Sequence, residues 1–303
     1  MNITPSNSFA PIVLFTYNRL DTLNITIGSL QKNYGASSSE LFIFSDGPRS
    51  DQYRSDVDEV RDYLKTVNGF KRVTIYESAA NKGLANSIIE GVTQIIGKYG
   101  KVIVLEDDLK TSPNFLSYMN QALSFYETNP KIHSVSGFTM PISGLDHQDI
   151  YFTKRASSWG WASWYDRWDV IDWTVSDYAC FSANKAALNR FNKMGSDMAR
   201  MLRRQMTGKI NSWAIRWCYH QYRKDLYTVY PAVSKVVNIG LENPRASNTN
   251  EYFNRFKTFL DDTGNEVYHF SPNVQLDEQI IRQYTRPYSL WVRIKYKIIN
   301  SFF

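Results

Sequence analysis

Cysteine is almost missing from this chain: 303 residues hold only Cys180 and Cys218. Two cysteines exclude a disulfide framework and fit a reducing compartment, so the expected location is cytoplasmic. No apolar run approaches the roughly 20 residues that cross a bilayer. The opening MNITPSNSFAP lacks the basic-then-apolar order of a secretory signal. Four histidines, at 133, 147, 220 and 269, are too scattered to form a zinc ligand set. His220 reads as packed or surface-exposed. No G-x-x-x-x-G-K-S/T loop, G-x-G-x-x-G fingerprint or G-x-S-x-G elbow occurs. These absences argue against phosphate-loop ATPases, nicotinamide enzymes and serine hydrolases. Internal repeats and low-complexity blocks are lacking too.

The remainder is an ordinary folding composition, 43% hydrophobic and 21% charged, with a high aromatic content of 15%. Net charge is +6, unevenly spread. No acidic residue follows Glu278, and Arg282, Arg286, Arg293, Lys295 and Lys297 supply most of the excess. The end, YSLWVRIKYKIINSFF, mixes these bases with Trp, Ile and Phe. Residues 282–303 can therefore lie on an anionic membrane surface or pack as a helix on the domain. Nucleic acid is disfavoured, because no basic stripe is evident in the body of the chain.

Strand and helix patterns alternate over the first 125 residues or so. Pro11–Phe15 (PIVLF), Leu41–Gly47 (LFIFSDG), Val73–Ser78 (VTIYES) and Lys101–Asp108 (KVIVLEDD) read as buried strands. Between them run helical stripes: Leu23, Ile27, Leu30 and Tyr34; Val57, Val60 and Leu64; Leu84, Ile88, Val92 and Ile95. Ser112 and Pro113 suggest a cap and first-turn proline for a helix that turns Leu116, Met119 and Leu123 inward. The pattern predicts an α/β fold with a mostly parallel sheet flanked by helices. Its ligands should bind beyond the carboxyl ends of the strands. The expected division is 1–130 as the regular α/β half, 131–260 as a second, aromatic-rich half of the same domain, and 261–303 as a basic aromatic extension.

Those strand ends carry the chemistry. The first leads through Thr16, Tyr17 and Asn18 to Arg19, the second to Asp46, the third to Lys82, and the fourth to Glu106, Asp107 and Asp108. Three adjacent carboxylates repel if buried and ionised. A hard divalent cation, Mn2+ or Mg2+, would relieve that repulsion and bridge to phosphate oxygens. The bland alternative is two solvated carboxylates and a loop cap. Arg19 and Lys82 are candidate phosphate partners or ordinary surface ion pairs. Asp46 is a candidate acceptor from a base or ribose, or a turn cap. In SSWGWASWYDRWDVIDW, aromatic faces suit sugar rings. Trp159 and Trp161 are expected to line a pocket around Gly160, whereas Trp168 and Trp173 read as structural.

Taken together, PIVLFTYNRLDTL, LFIFSDG, NKGLANSI and VIVLEDDLKTSPNFLSYMNQAL resemble the GT-A-fold glycosyltransferases. The likeness is to bacterial polysaccharide sugar transferases related to N-acetylglucosaminyltransferase I, over about residues 10 to 250. The resemblance implies a Rossmann-type GT-A sheet, a nucleotide-sugar donor, and Mn2+ or Mg2+. It makes 1–130 the nucleotide-sugar side and 131–260 the donor-sugar and acceptor side. It also implies that Arg19 contacts donor phosphate, Asp46 the uridine portion, Asp107 the ribose and Asp108 the metal. Glu106 would approach the donor sugar, and Gly160 and Trp161 would line the sugar site. Asn211–Trp217 (NSWAIRW) matches the helix start beside the acceptor, where inverting members place an acidic base. Here Ser212 stands in that region, and a serine needs activation to take a proton. The candidate bases are therefore Glu242, in IGLENP, and secondly Asp166. The implied reaction is an inverting displacement onto a saccharide or lipid-linked oligosaccharide acceptor. A nucleotidyltransferase and a noncatalytic sugar-binding protein are the competing readings.

Overall fold

The computed structural model describes residues 9–240 and 253–301. Among the described residues, ten strands form two sheets. They are β1 (Ile12–Thr16), β2 (Glu40–Ser45), β3 (Arg72–Glu77), β4 (Lys101–Glu106), β5 (Leu109–Thr111), β6 (Ile132–Ser136), β7 (Ile150–Thr153), β8 (Trp161–Trp164), β9 (Tyr227–Pro231) and β10 (Val236–Asn238). The large sheet runs β3-β2-β1-β4-β8-β6-β9-β7, and β5 pairs with β10 in a separate antiparallel ribbon. The half built from β3, β2, β1 and β4 is entirely parallel. Beyond it, β8 and β7 enter antiparallel while β6 and β9 pair in parallel.

The four strands predicted from periodicity are the four parallel ones. Their unbroken apolar runs have a direct cause: both faces are covered. Ile12, Leu14, Ile103 and Leu105 enter one core. The alternate residues Val13, Phe15, Val102 and Val104 enter the other. A strand buried on both faces has no place for alternating polar residues. The first core is covered by α1 (Leu20–Leu30), α2 (Arg54–Leu64) and, beyond α3 (Leu84–Tyr99), α4 (Phe115–Phe125). The second is covered by α3 and by a group of short helices: α5 (Tyr165–Trp168), α6 (Tyr178–Ala183), α7 (Lys185–Phe191), α8 (Met198–Met206) and α9 (Trp213–Arg223). Helices α10 (Glu278–Thr285) and α11 (Leu290–Ile299) follow near the end.

Two helix boundaries differ from expectation, and one residue explains both. The first helix stops at Leu30, leaving Tyr34 exposed, because Asn33 turns inward as a buried cross-link. Its amide donates to Ser29 O and Thr111 Oγ1, and its Oδ1 accepts from Leu116 N at 2.9 Å. That last bond takes up an orphan N–H in the first turn of α4, from 83 positions away in sequence. Ser112 does not cap α4; its hydroxyl bonds Asn114 Oδ1 at 2.7 Å, and α4 begins at Phe115. Leu84, the first residue of the third stripe, is exposed.

No break in packing coincides with residue 261. Tyr268, Ile280 and Tyr284 belong to the first core, and Ser234 forms a bridge with Leu260. Lys235 and Asp261 are an ion pair buried beside β10. Asp261 also accepts from Asn114 Nδ2 at 2.9 Å and from Thr263. Removing one partner leaves the other charge buried without its counter-ion. Lys235→Met should therefore cost about 3–5 kcal/mol in urea unfolding, with part of the loss restored by adding Asp261→Leu. A loss below about 1 kcal/mol, the range of surface pairs, would contradict this role.

Candidate active site

The order in which strands are added reverses between β1 and β4, since β2 and β3 lie on one side of β1 and β4 on the other. Such a switch point opens a crevice at the carboxyl ends of the strands. Phe15 lies opposite Glu106 in the register, so Thr16 and Asp107 emerge side by side. Asp107 Oδ2 accepts from Thr16 Oγ1 at 3.2 Å and from Tyr17 N at 3.3 Å. Its Oδ1 is ion-paired with Arg19, and Arg19 Nη2 reaches Asp108 Oδ2 at 3.1 Å. Thr26 in α1 donates to the Asp107 carbonyl at 3.0 Å. Asp107 thus stitches the two strand ends together, while Asp108, its side chain 14% exposed, keeps an Oδ1 that has no partner on another described residue.

One arginine serves three carboxylates, of which Asp107 is buried and Glu106 and Asp108 are partly so. Burial pushes the Glu106 carboxyl up to about 8, helped by the negative charges of Asp108 and Asp107 and opposed by Arg19. Burial likewise raises Asp107 to about 6 against the pull of Arg19. Asp108 is raised for the same leading reason. Burial works against the Arg19 charge as well, but Asp107 and Asp108 outweigh it and hold the guanidinium more firmly protonated. The cluster is short of positive charge.

The neighbouring strand ends are tied down differently. Asp46 accepts from Gly47 N, Lys82 N and Gly83 N, each at 2.9 Å. It therefore clamps the loop after β2 to the loop after β3, the turn-cap reading of this residue. Gly47 is required there, since a Cβ would lie 2.6 Å from the Ala80 carbonyl carbon. The Lys82 ammonium is paired with Glu90 at 2.6 Å, on the α3 surface. The structure thus gives Lys82 a surface partner and not the acidic strand end.

At the far side of the crevice, β10 returns beside β5. Ile239 N donates to the Asp108 carbonyl at 2.9 Å. Gly240 lies so close that a Cβ would meet Asp108 Oδ2 at 2.3 Å. Gly160 has φ +58° and faces Val236 and Phe115, so a side chain there would strain the backbone and collide with β10. Glu242, the first candidate base, lies outside the described residues.

A cavity of about 230 Å3 adjoins the start of β8. Its walls come from the 155–159 segment, from α8 and the first turn of α9, and from Arg255, Phe256 and Tyr288. Trp159 lines it, with its ring 4.6 Å from Phe138 and 5.8 Å from Phe256. Trp161 does not line it as expected. In β8 it is buried against Trp213, Trp217 and Trp168, with ring centroids 4.4–5.5 Å away. Trp168 and Trp173 belong to the same stack, 4.8 Å apart, as their structural reading requires.

Strand direction decides where Asp166 lies. Because β8 runs antiparallel to β4, Trp164 lies opposite Lys101. Asp166 therefore follows at the amino end of β4, about 16 Å along the strand from Glu106 at ~3.3 Å per residue. It is exposed and paired with Arg167, so it cannot serve the carboxylate edge. Ser212 caps α9, accepting from Ile215 N at 3.4 Å. Among the described residues it has no histidine or carboxylate to activate it. His220 is buried in α9 beside His133. Among the described residues, no three His, Cys, Asp or Glu side chains converge to hold a metal by themselves.

Sequence reasoning missed Arg155 and Asp197. They form a two-point ion pair in the cavity wall, both bonds 2.9 Å, with the guanidinium 3.7 Å from the Tyr288 ring. They are 42 positions apart, and no spacing rule joins them.

No curated protein matches the chain. Solved structures similar to part of the chain include two of low identity. One is the mannosyltransferase PcManGT from Pyrobaculum calidifontis, in complex with GDP-Man and Mn2+: 13% identity, 54% of this chain, 46% of that chain, TM-score 0.37. The other is TarS from S. aureus: 15% identity, 46% of this chain, 24% of that chain, TM-score 0.30. The chain thus spans less than half the length of either. The model of glycosyl transferase family 2 matches residues 12–181, from β1 through the carboxylates to α6. That match covers more than half of the sequence; it supports a GT-A glycosyltransferase without bearing on the narrower likeness to N-acetylglucosaminyltransferase I. The chain belongs to glycosyl transferase family 2.

Proposed function

We propose that the chain moves a sugar from a nucleoside-diphosphate donor, with UDP-sugars the first to test, to a hydroxyl of a saccharide or lipid-linked oligosaccharide in surface polysaccharide synthesis. The observation that carries this reading is the carboxylate cluster clamped by Arg19 at the β1/β4 switch point.

A divalent cation suits the donor set. The carboxylates are hard oxygen ligands, their charge is only partly balanced by Arg19, and Asp108 keeps an unpartnered oxygen among the described residues. Asp108 would hold Mn2+ or Mg2+, with phosphate oxygens and water filling the shell. When bound, the cation supplies charge neutralisation for the departing diphosphate. Arg19 would contact the same phosphates from its place beside Asp108. Glu106, deeper at the strand end, would face the donor sugar. Asp107 would meet the ribose beyond its bonds to β1, and Asp46 the base, with acceptor capacity left over from the loop amides.

In the cavity, Trp159 and Phe256 offer aromatic faces for a sugar ring, and Ser157 and Ser158 offer hydroxyls. The cavity's own carboxylate, Asp197, is a poor base. Burial disfavours its ionised form, but the Arg155 ion pair prevails and holds the carboxyl below its usual range. We assign the base to Glu242, two residues beyond the contact of Gly240 with Asp108. Glu242 would take the acceptor hydroxyl proton as the oxygen bonds to the anomeric carbon. The bond from that carbon to the diphosphate oxygen would break on the opposite side, inverting the centre.

Asp108→Asn should abolish cation-dependent nucleoside-diphosphate binding in calorimetry without lowering the urea midpoint; wild-type binding would reject its assignment. Glu242→Gln should reduce transfer by about 10^2–10^4-fold, the range of a lost general base, with donor affinity retained. Full turnover would move the base elsewhere. Ala214→Trp, which fills the cavity, should erase any affinity a nucleotide sugar has beyond its bare nucleoside diphosphate. An unchanged difference would place the sugar outside this cavity.

A further inference from the structure

Helix α11 contains no buried residue. Leu290, Ile294 and Ile298 lie four apart, and Trp291 adjoins them, so all four fall along one helix face. All four are exposed, Trp291 by 81%. Lys295 and Lys297 flank this stripe and are exposed as well, as is Arg286 in the preceding turn. At ten residues the helix is about 15 Å long, and no helix of the described residues is long and apolar enough to cross a membrane. Such a helix can lie only in the plane of a surface.

The positive field around it is broader than the C-terminal bases. Asp197 is the single acidic residue between Tyr178 and Lys224, a stretch that holds Arg200, Arg203, Arg204 and Lys209. This basic region escaped the sequence reading. It reaches α11: Arg293 donates to Ser196 Oγ at 3.0 Å, and burial together with Arg200, Arg255 and Arg155 outweighs Asp197 in lowering its pKa. Asp197 itself is occupied by Arg155.

The helix is also fixed to the cavity wall at both ends. Tyr288 lines the cavity, and its carbonyl accepts from Ser196 Oγ at 2.8 Å, one residue before Ser289 caps α11. At the other end Asn300 exchanges bonds of 2.7 and 3.2 Å with the backbone of Phe253, three residues before Phe256 of the same cavity.

We propose that α11 seats the protein on an anionic lipid surface. The Leu290-Trp291-Ile294-Ile298 stripe enters the headgroup boundary, the surrounding bases meet lipid phosphates, and the cavity is held beside the leaflet. Charge complementarity favours lipid phosphate, and an aliphatic stripe with an exposed indole favours a membrane boundary over nucleic acid. Presentation of a lipid-carried acceptor to the cavity rests on the proposed glycosyl transfer; the docking itself does not.

The test is sedimentation of the full chain with vesicles of neutral phosphatidylcholine, or of phosphatidylcholine with one third phosphatidylglycerol, alongside the variant Trp291→Ser/Ile294→Ser/Ile298→Ser. The wild type should bind the anionic vesicles at least tenfold more tightly than the neutral ones. The variant should lose at least tenfold on anionic vesicles while its donor hydrolysis in solution is unchanged. Equal binding by the variant, or no wild-type preference for anionic lipid, would overturn the proposal. So would a wild-type dimer in equilibrium sedimentation that the variant abolishes, or tighter binding to single-stranded RNA than to the vesicles. Vesicle binding without any donor turnover would leave this inference standing and remove the proposed enzymatic function.

Discussion

The contact of Arg19 with Asp107 and Asp108 is the interaction on which the rest of the site depends. Chain topology places the ends of β1 and β4 side by side, and the carboxylates that end β4 would repel one another without it. Asp107 resolves the conflict by bonding Thr16, the Tyr17 amide and Arg19. Asp107 ties the two strand ends together, and the turn that follows β4 sets Asp108 beside the same guanidinium.

Around that edge the fold is built to hold positions. The second core stacks Trp161, Trp168, Trp213 and Trp217, fixing β8 against the start of α9. The β5/β10 ribbon brings Gly240 to Asp108 from the opposite side. The C-terminal segment then closes the cavity wall through Phe256 and Tyr288 and extends into α11. The aromatic cavity and the basic helix are neighbours, joined by the hydrogen bonds of Ser196 with Tyr288 and Arg293 and of Asn300 with Phe253.

Much of this was legible in sequence where local periodicity decides structure. The four parallel strands and the inward faces of the first four helices follow from apolar runs and stripes, with Tyr34 and Leu84 as exceptions. The acidic strand end was legible because three charges after a buried strand demand a cause. What escaped depends on contacts distant in sequence. Asn33 replaces Ser112 in serving the start of α4. Asp166 falls at the wrong end of the sheet once β8 proves antiparallel. Trp161 looked like a sugar-binding surface because composition cannot distinguish a pocket wall from a stacked core. Arg155 and Asp197 meet only in three dimensions.

The central claim concerns where the nucleotide's diphosphate sits. Anomalous scattering from Mn2+ in a crystal of the protein soaked with nucleoside diphosphate and Mn2+ tests it most directly. The account predicts a manganese peak at the Asp108 carboxylate, in the crevice between β1 and β4, with the diphosphate bound to it beside Arg19. A peak elsewhere, with the diphosphate lodged away from Asp108, would contradict it.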